Sequence, residues 1–293
     1  LYGADFDTTG TNMLWNFSFL EPLTQVADTF LDPAESGLVS GLIADCYSAC
    51  QWTHTCYDTC GFKWACYTKC HGVCEDSCIA EMYKNSTNLS KMYLDTIDYE
   101  AVQITDIQQF YLKTDSNLIT DKFGYKLSSF GIELLTDILP YDSADVVYTF
   151  PMQYGNTDAS TSSYEINAFD LIIWKHWQRR YNEVEGWGKL ITPFGEFDST
   201  LKVRTEIYAK DTITWGGEQY FIPDTLNLDS IIEYKWFHKD YKLPILTAKM
   251  LLMNGNTLLL DVSYIDSLRC FEPTATFIPY PPVAFIDSAD YPE

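Results

Sequence analysis

Eight cysteines within one short stretch carry the clearest chemical signal in this chain. They fall between Cys46 and Cys78, and most neighbours in the series are four residues apart. Cysteines four apart lie on one face of a helix, and two helices that face each other with such stripes can form a row of disulfides. The pattern predicts that all eight pair within one helical module in an oxidising compartment: Cys46, Cys50, Cys56, Cys60, Cys66, Cys70, Cys74 and Cys78.

Two other uses of cysteine fit the spacing less well. Zinc knuckles take two or four residues between cysteines, with histidine partners such as His54 or His71. Covalent haem takes C-x2-C-H, and the stretch from Cys66 to His71 is one residue too long. The pairing within the module stays open. Cys270 lies far from it and is either a buried free thiol or a bond to another chain.

Catalytic groups are hard to find in the rest of the sequence. It contains no phosphate-binding loop, no H-E-x-x-H zinc motif and no G-x-S-x-G elbow. Glu183 and Glu185 would share a strand face, and paired carboxylates can hydrolyse glycosides, but 41 acidic residues make such pairs common by chance. His176 stands between Trp174 and Trp177, where packing is the simpler role. We therefore predict no catalytic residue, no metal and no cofactor.

The charge limits the partners. A formal net charge of −22 repels phosphate backbones, so nucleic acids and anionic membranes are not expected to bind. No stretch reaches the roughly 20 apolar residues that a membrane-spanning helix needs. Calcium binding, which acidic surfaces favour, stays open.

The sequence predicts that the elements carrying these residues are mainly β-strands. Many short alternating runs separated by turn residues favour a β-sandwich or jelly-roll-like body. We place this body at 1–38 and 91–272, with a sub-boundary near residue 150 left open. The disulfide-rich α-helical module, 39–90, would be an insertion in it, and the proline-rich residues 273–293 would form an extended C-terminal tail.

Several stretches of the body resemble uncharacterised secreted proteins of the Bacteroidota that leave the cell through the type IX secretion system. The stretches are Asp7-Thr8-Thr9-Gly10, Trp15-Asn16-Phe17-Ser18, Phe150-Pro151-Met152-Gln153-Tyr154-Gly155, Gly186-Trp187-Gly188-Lys189-Leu190-Ile191-Thr192-Pro193-Phe194-Gly195, Leu201-Lys202-Val203-Arg204-Thr205-Glu206, Tyr234-Lys235-Trp236-Phe237 and Leu243-Pro244-Ile245-Leu246. The resemblance implies an extracellular or cell-surface location and a mature β body without its sorting domain. It supplies no catalytic residue, and the cysteine module departs from it.

Aspartates of this chain precede serine or threonine more often than its composition predicts. Nine of these pairs continue with a small or aliphatic residue, which resembles the O-glycosylation sequon of the Bacteroidota; turn formation is the alternative explanation. The predicted glycosylation sites are Thr8, Thr96, Ser143, Ser199, Thr212, Thr225, Ser230, Ser267 and Ser288.

These observations favour a non-catalytic extracellular structural protein, a self-assembling subunit of a surface fibre or sheath. The apolar residues Val283, Ala284, Phe285 and Ile286 of the tail are the predicted assembly element, because they could extend a neighbour's sheet. The first rival is a carbohydrate-binding adhesin with glycan partners, and the second is a secreted glycoside hydrolase. An adhesin would use exposed members of the set Trp174, Trp177, Trp187, Trp215 and Trp236.

Overall fold

A computed structural model describes residues 5–24, 38, 89–92, 97–99, 102–168, 170, 172–215, 218–221, 230–241, 243–253 and 255–267. These residues form thirteen strands, rich in the β-branched and aromatic residues that fit a pleated surface. The strands are β1 Gly10–Asn16, β2 Leu89–Met92, β3 Ile97–Tyr99, β4 Val102–Lys113, β5 Asn117–Ser129, β6 Ile132–Thr149, β7 Thr157–Ala168, β8 Ile172–Thr192, β9 Gly195–Trp215, β10 Glu218–Phe221, β11 Ser230–Phe237, β12 Leu246–Met253 and β13 Asn256–Tyr264.

Ten of the strands follow one hydrogen-bonded path, in the order β13-β12-β11-β9-β8-β7-β6-β5-β4-β2. Every neighbouring pair on this path is antiparallel. Three strands lie off the path: β3 pairs with β4, β10 with β9, and β1 with β8. Within the described residues, no helix has the length and apolar character needed to cross a membrane.

The predicted fold class is correct in being mainly β and wrong in its architecture. The strands join into one continuous sheet path, because the 18-residue β6 pairs with β5 and also meets β7 at Ser143 and Ser163. All thirteen elements of the described residues are strands, and Leu38 is the single helical residue among them, so the inserted α-helical module is not supported. Residues 39–88 of that module lie outside the described residues, and its predicted end overlaps β2, which begins at Leu89. The other domain boundaries stay predictions.

A long hairpin forms the middle of the sheet. Its two strands, β8 and β9, have 21 residues each, which corresponds to a length of about 70 Å. Along its outer edge β8 pairs first with β7, over 172–183, and then with β1, over 186–191. β9 likewise pairs with β11 over 201–207 and with β10 over 212–215. The hairpin therefore runs through two sets of flanking strands.

One extra residue in β8 separates these two sets. Val184 pairs with Val203, and the adjacent residue of β9, Lys202, pairs with Gly186. Glu185 therefore has no partner and is the additional residue of a β-bulge. Because directly opposed residues share a face of a sheet, the bulge moves the even-numbered residues of β8 from one face to the other. Lys202 and Val203, neighbours in β9, are consequently both buried.

The two hydrophobic cores lie on opposite faces of the hairpin as a result. The first core packs β4 and β5 against β7 and the early part of β8. Its buried residues are Ile104, Ile107, Phe123, Tyr125, Leu127, Tyr164, Ile166, Ala168, Ile172, Trp174 and Ile213. The second core packs the N-terminal segment against the late part of β8 and against β9, β11 and β12. Its buried residues are Phe6, Trp15, Phe17, Leu20, Leu190, Phe197, Ile232, Tyr234, Trp236, Ile245, Leu246, Ala248 and Met250.

Trp236 is the centre of the second core. It is fully buried, and its ring lies edge-on to Trp15 at 6.1 Å and to Phe17 at 5.5 Å between centroids. We expect Trp236→Ala to lower the free energy of unfolding by about 3–5 kcal/mol, because it removes a large buried side chain and leaves a cavity. Trp177→Ala, at a tryptophan that is 39% exposed, should change it by only about 0.5 kcal/mol. Urea denaturation measures both, and equal losses would contradict this account of the core.

Candidate functional site

The N-terminal segment, residues 5–20, lies on the body of the protein in a recess that we call the acceptor groove. The groove is formed by Gly186, Gly188, Lys202, Tyr234 and Trp236. β1 enters it as a strand parallel to β8, from Gly10 opposite Gly186 to Asn16 opposite Ile191. The Phe17 backbone N–H continues the pairing by donating to the Ile191 carbonyl at 2.8 Å. This is the one parallel pairing among the described strands.

Two glycines of β8 make room for this segment. A Cβ atom at Gly188 would lie 2.1 Å from the carbonyl oxygen of Met13, and one at Gly186 would lie 2.9 Å from Cζ2 of Trp15. Real Cβ atoms do not approach backbone so closely, so any larger residue at 188 would displace β1. Glycine inside a strand commonly marks such a close approach of another backbone.

Aromatic side chains anchor the segment. Trp15 is 2% exposed, and its indole N–H donates to the Thr8 carbonyl at 3.0 Å. Phe6 and Phe17 stack on each other with ring centroids 4.9 Å apart. These three residues, with Leu20, are the contribution of the segment to the second core. Removing the segment would therefore expose Trp236 and its neighbours to solvent.

Polar contacts fix the start of the segment at the other end of the groove. The Lys202 ammonium donates to the Thr8 carbonyl at 3.1 Å and forms an ion pair with Glu185 at 2.5 Å. The Tyr234 hydroxyl donates to the Asp7 carboxylate. Burial raises the pKa of Tyr234, and the bond to Asp7 raises it further. The hydrogen bond from the Thr8 hydroxyl lowers the pKa of Asp5.

On the face opposite the acceptor groove, a layer of buried polar residues links β6 to the middle of β8. Asp145 accepts hydrogen bonds from Arg180 Nε and Nη2, at 3.0 and 2.8 Å, and one from Gln178 at 3.0 Å. Burial disfavours the guanidinium of Arg180, but the bonds to Asp145 outweigh this and raise its pKa. Asn182 donates to the Val147 carbonyl at 2.9 Å and accepts from Thr205. These groups satisfy one another, which indicates a structural role.

His176, Glu183 and Glu185 each have a defined polar neighbour in the structure. His176 Nδ1 lies 2.8 Å from Asp211, and its ring stacks on Tyr164 at 4.7 Å. Asp211 also accepts from the Trp174 indole at 2.8 Å. Glu183 lies opposite Arg204 in the β8–β9 register, whereas Glu185 pairs with Lys202. The two carboxylates thus each have a cationic neighbour on β9.

Three half-exposed aromatic residues occupy the open face of β7, β8 and β9, opposite the first core. Trp177, Tyr181 and Tyr208 are 39%, 36% and 37% exposed, and the exposed Arg179 lies directly opposite Tyr208. We call these four residues the aromatic face. The sequence reasoning named Trp177 but missed the tyrosines, although Trp177, Arg179 and Tyr181 alternate along a strand and so must share a face. Trp174 and Trp236 are buried, Trp187 is half-buried, and the side chain of Trp215 lies outside the description.

Some of the remaining predicted site residues lie within the described part of the chain, and the others lie outside it. The glycosylation candidates Ser143, Ser199 and Ser267 are exposed, and Thr8, Thr212 and Ser230 are half-buried. Outside the described residues lie Thr96, Thr225, Ser288, all nine cysteines and the apolar residues Val283, Ala284, Phe285 and Ile286. What the sequence predicts for these residues stays a prediction.

Comparison of the chain with family models, curated proteins and solved structures found no match in any of the three. The resemblance to secreted Bacteroidota proteins stays a prediction. The acceptor groove and the aromatic face are the two features of the described residues from which a function can be inferred.

Gly188 provides a direct test of the acceptor groove. We expect Gly188→Ala to lower the free energy of unfolding by about 1–3 kcal/mol, because the new methyl group overlaps the β1 backbone. Limited proteolysis should then cut within residues 5–20 sooner than in the original protein. Gly195→Ala is the matched control, since a Cβ there would meet only Phe197, at 3.9 Å. Comparable losses in the two variants would show that the groove is not specific.

Proposed function

We propose that the protein is a non-catalytic extracellular structural protein that assembles by strand exchange: one copy inserts residues 5–20 into the acceptor groove of the next. The observation that carries this proposal is the seating of β1 as a parallel strand over Gly186 and Gly188. Its aromatic anchors fill a recess of the body, as a separate ligand would. Strand addition to a sheet is a common mode of peptide recognition.

The connectivity favours exchange between copies. No tight turn joins β1 to β8: residues 17–88 separate β1 from the next described strand, and β8 begins only at Ile172. A long connection lowers the effective concentration of β1 at its own groove, so a groove on a neighbouring copy can compete for it. Exchange of an identical element between copies costs little because every contact is reproduced.

Donor and acceptor are different surfaces, so each copy can give a strand at one place and receive one at another. Such a heterologous contact forms a ring if the rotation closes and a filament if it does not. The apolar residues 283–286 of the predicted tail are a second assembly element of the same kind. An assembly of this type agrees with the predicted fibre or sheath.

Two properties of the sequence support an extracellular location for the assembly, and a third bears on its solubility. The cysteine-rich segment predicts disulfides, which persist in oxidising compartments. The resemblance to secreted Bacteroidota proteins implies the same extracellular location. The net charge of −22 keeps extracellular copies soluble until specific contacts form.

A complementation experiment tests strand exchange. One chain lacks residues 1–20 and can accept but not donate; the other carries Gly188→Val and can donate but not accept. Both chains end at residue 273, so that the predicted tail element cannot contribute. Each alone should form no polymer, and an equimolar mixture should give a one-to-one heterodimer in size-exclusion chromatography with light scattering. The heterodimer forms because the free segment of the second chain fills the empty groove of the first.

The control for this experiment is a donor chain in which Gly188→Val is combined with Trp15→Asp. A charged side chain cannot enter the site of the buried indole, so this donor should not pair with the truncated chain. A heterodimer of equal yield with the Asp variant, or none with the original donor, would refute exchange through the acceptor groove.

The aromatic face favours a second candidate function, carbohydrate binding by an adhesin. Sugar rings stack their apolar faces on Trp and Tyr side chains, while their hydroxyl groups bond to neighbouring polar residues. Trp177 and Tyr181 are four residues apart on one strand, so they lie about 13 Å from each other, with Arg179 between them. This spacing spans more than one sugar unit. The rigid sheet beneath fixes these side chains before a ligand arrives.

Glycan-array screening, followed by calorimetry with the strongest neutral oligosaccharide found, tests this candidate. Trp177→Ala and Tyr208→Ala should each weaken binding at least tenfold, because each removes a stacking surface. Tyr154→Ala is the matched control: this tyrosine is 49% exposed and is not part of the aromatic face. If no glycan binds, or if all three variants bind equally well, the aromatic face has another role.

A further inference from the structure

Lys202 and Glu185 form the most deeply buried ion pair in the described part of the chain. Lys202 Nζ lies 2.5 Å from Glu185 Oε1. The side chain of Lys202 is 0% exposed and that of Glu185 is 10% exposed. Water therefore has little access to either group.

Aromatic rings and one carbonyl enclose the amine. Lys202 Nζ lies 4.3 Å from the centre of the Tyr234 ring and 5.5 Å from that of Trp236. The Thr8 carbonyl accepts a hydrogen bond from the same nitrogen. The bulge at Glu185 places the carboxyl group beside this pocket, since Glu185 has no partner in the β9 register. The two groups are thus held together before any reaction.

From this geometry we propose that Lys202 and Glu185 form an intramolecular isopeptide bond, an amide that links β9 to β8 at the bulge. The proposal does not depend on strand exchange or on glycan binding. It adds a covalent cross-link of a kind other than the predicted disulfides.

The reaction is a condensation that needs no other reactant. The neutral amine of Lys202 attacks Cδ of the protonated Glu185 carboxyl group, and a new C–N bond forms. The C–OH bond then breaks, and the hydroxyl leaves with one amine proton as water. The products are a secondary amide and one water molecule, with no change in oxidation state.

The environment favours the reactive forms of both groups. Burial lowers the pKa of Lys202, although Glu185 opposes the change, and burial raises the pKa of Glu185, although Lys202 opposes that change. Both shifts favour the uncharged species that condensation consumes. Burying two charges is costly even when they are paired, and the amide removes both of them. The enclosed pocket also limits the return of water that would hydrolyse the product.

Mass spectrometry of the fully reduced and alkylated protein tests the proposal. The intact chain, made in a host that adds no O-linked glycans, should be lighter by one water molecule than its sequence with alkylated cysteines requires. Trypsin should fail to cut after Lys202, and peptides 181–189 and 190–204 should be recovered as one branched species. Fragmentation should locate the branch at Glu185 and not at Glu183.

Two variants make the result specific. Lys202→Met keeps an unbranched side chain that is one atom shorter and removes the amine, so its mass should equal that of its sequence. Lys235→Met is the matched control, because Lys235 also touches a glutamate, Glu233, at 2.6 Å but on its own strand; it should still lack one water. A wild-type chain of full mass, or a water loss with Lys202 still cleavable by trypsin, would overturn the proposal.

Discussion

One inserted residue, Glu185, sets the geometry of this protein. A strand exposes alternate residues to alternate faces, and a regular β8 would keep all its even-numbered residues on the same side. After Val184 the bulge moves the even-numbered side chains to the other face. Trp174 and Leu190 therefore enter different cores although both positions are even. The acceptor groove exists because the later half of β8 presents Gly186 and Gly188 on the side that the earlier half leaves open to solvent.

The polar layer complements this arrangement. Between the two cores, β8 carries Gln178, Arg180 and Asn182 on the face that β6 covers, and each has a hydrogen-bond partner there. Hydrophobic residues at these positions could pack with β6 in several registers, whereas a guanidinium held by Asp145 at two of its nitrogens fits only one. We infer that these polar contacts fix the position of β6 relative to β8.

The sequence was sufficient for the class of the fold and for part of the strand pattern. Two apolar runs around Gly255 predict the hairpin between β12 and β13. The alternating run from Leu14 to Leu20 predicts a strand, but the observed β1, Gly10–Asn16, shares only residues 14–16 with it. The length of β8 could not be predicted, because glycines such as Gly186 and Gly188 are typical of turns. Their role within a strand becomes clear only when the close approach of β1 is known. The bulge leaves no local signal, since its evidence lies in the pairing with β9. Tyr181 and Tyr208 could have been found by counting alternate residues from Trp177.

The parallel direction of β1 also determines how the contact would carry tension. A pull along the axis of β1 slides it against β8, so the backbone hydrogen bonds from Gly10 to Phe17 bear the load together. A pull across the strands would instead open the same bonds one after another. Because the load then passes into a hairpin of about 70 Å that crosses both cores, the stiff middle of the sheet would transmit force between neighbouring copies. In a chain of such subunits, the mechanical strength would be set by shear at β1.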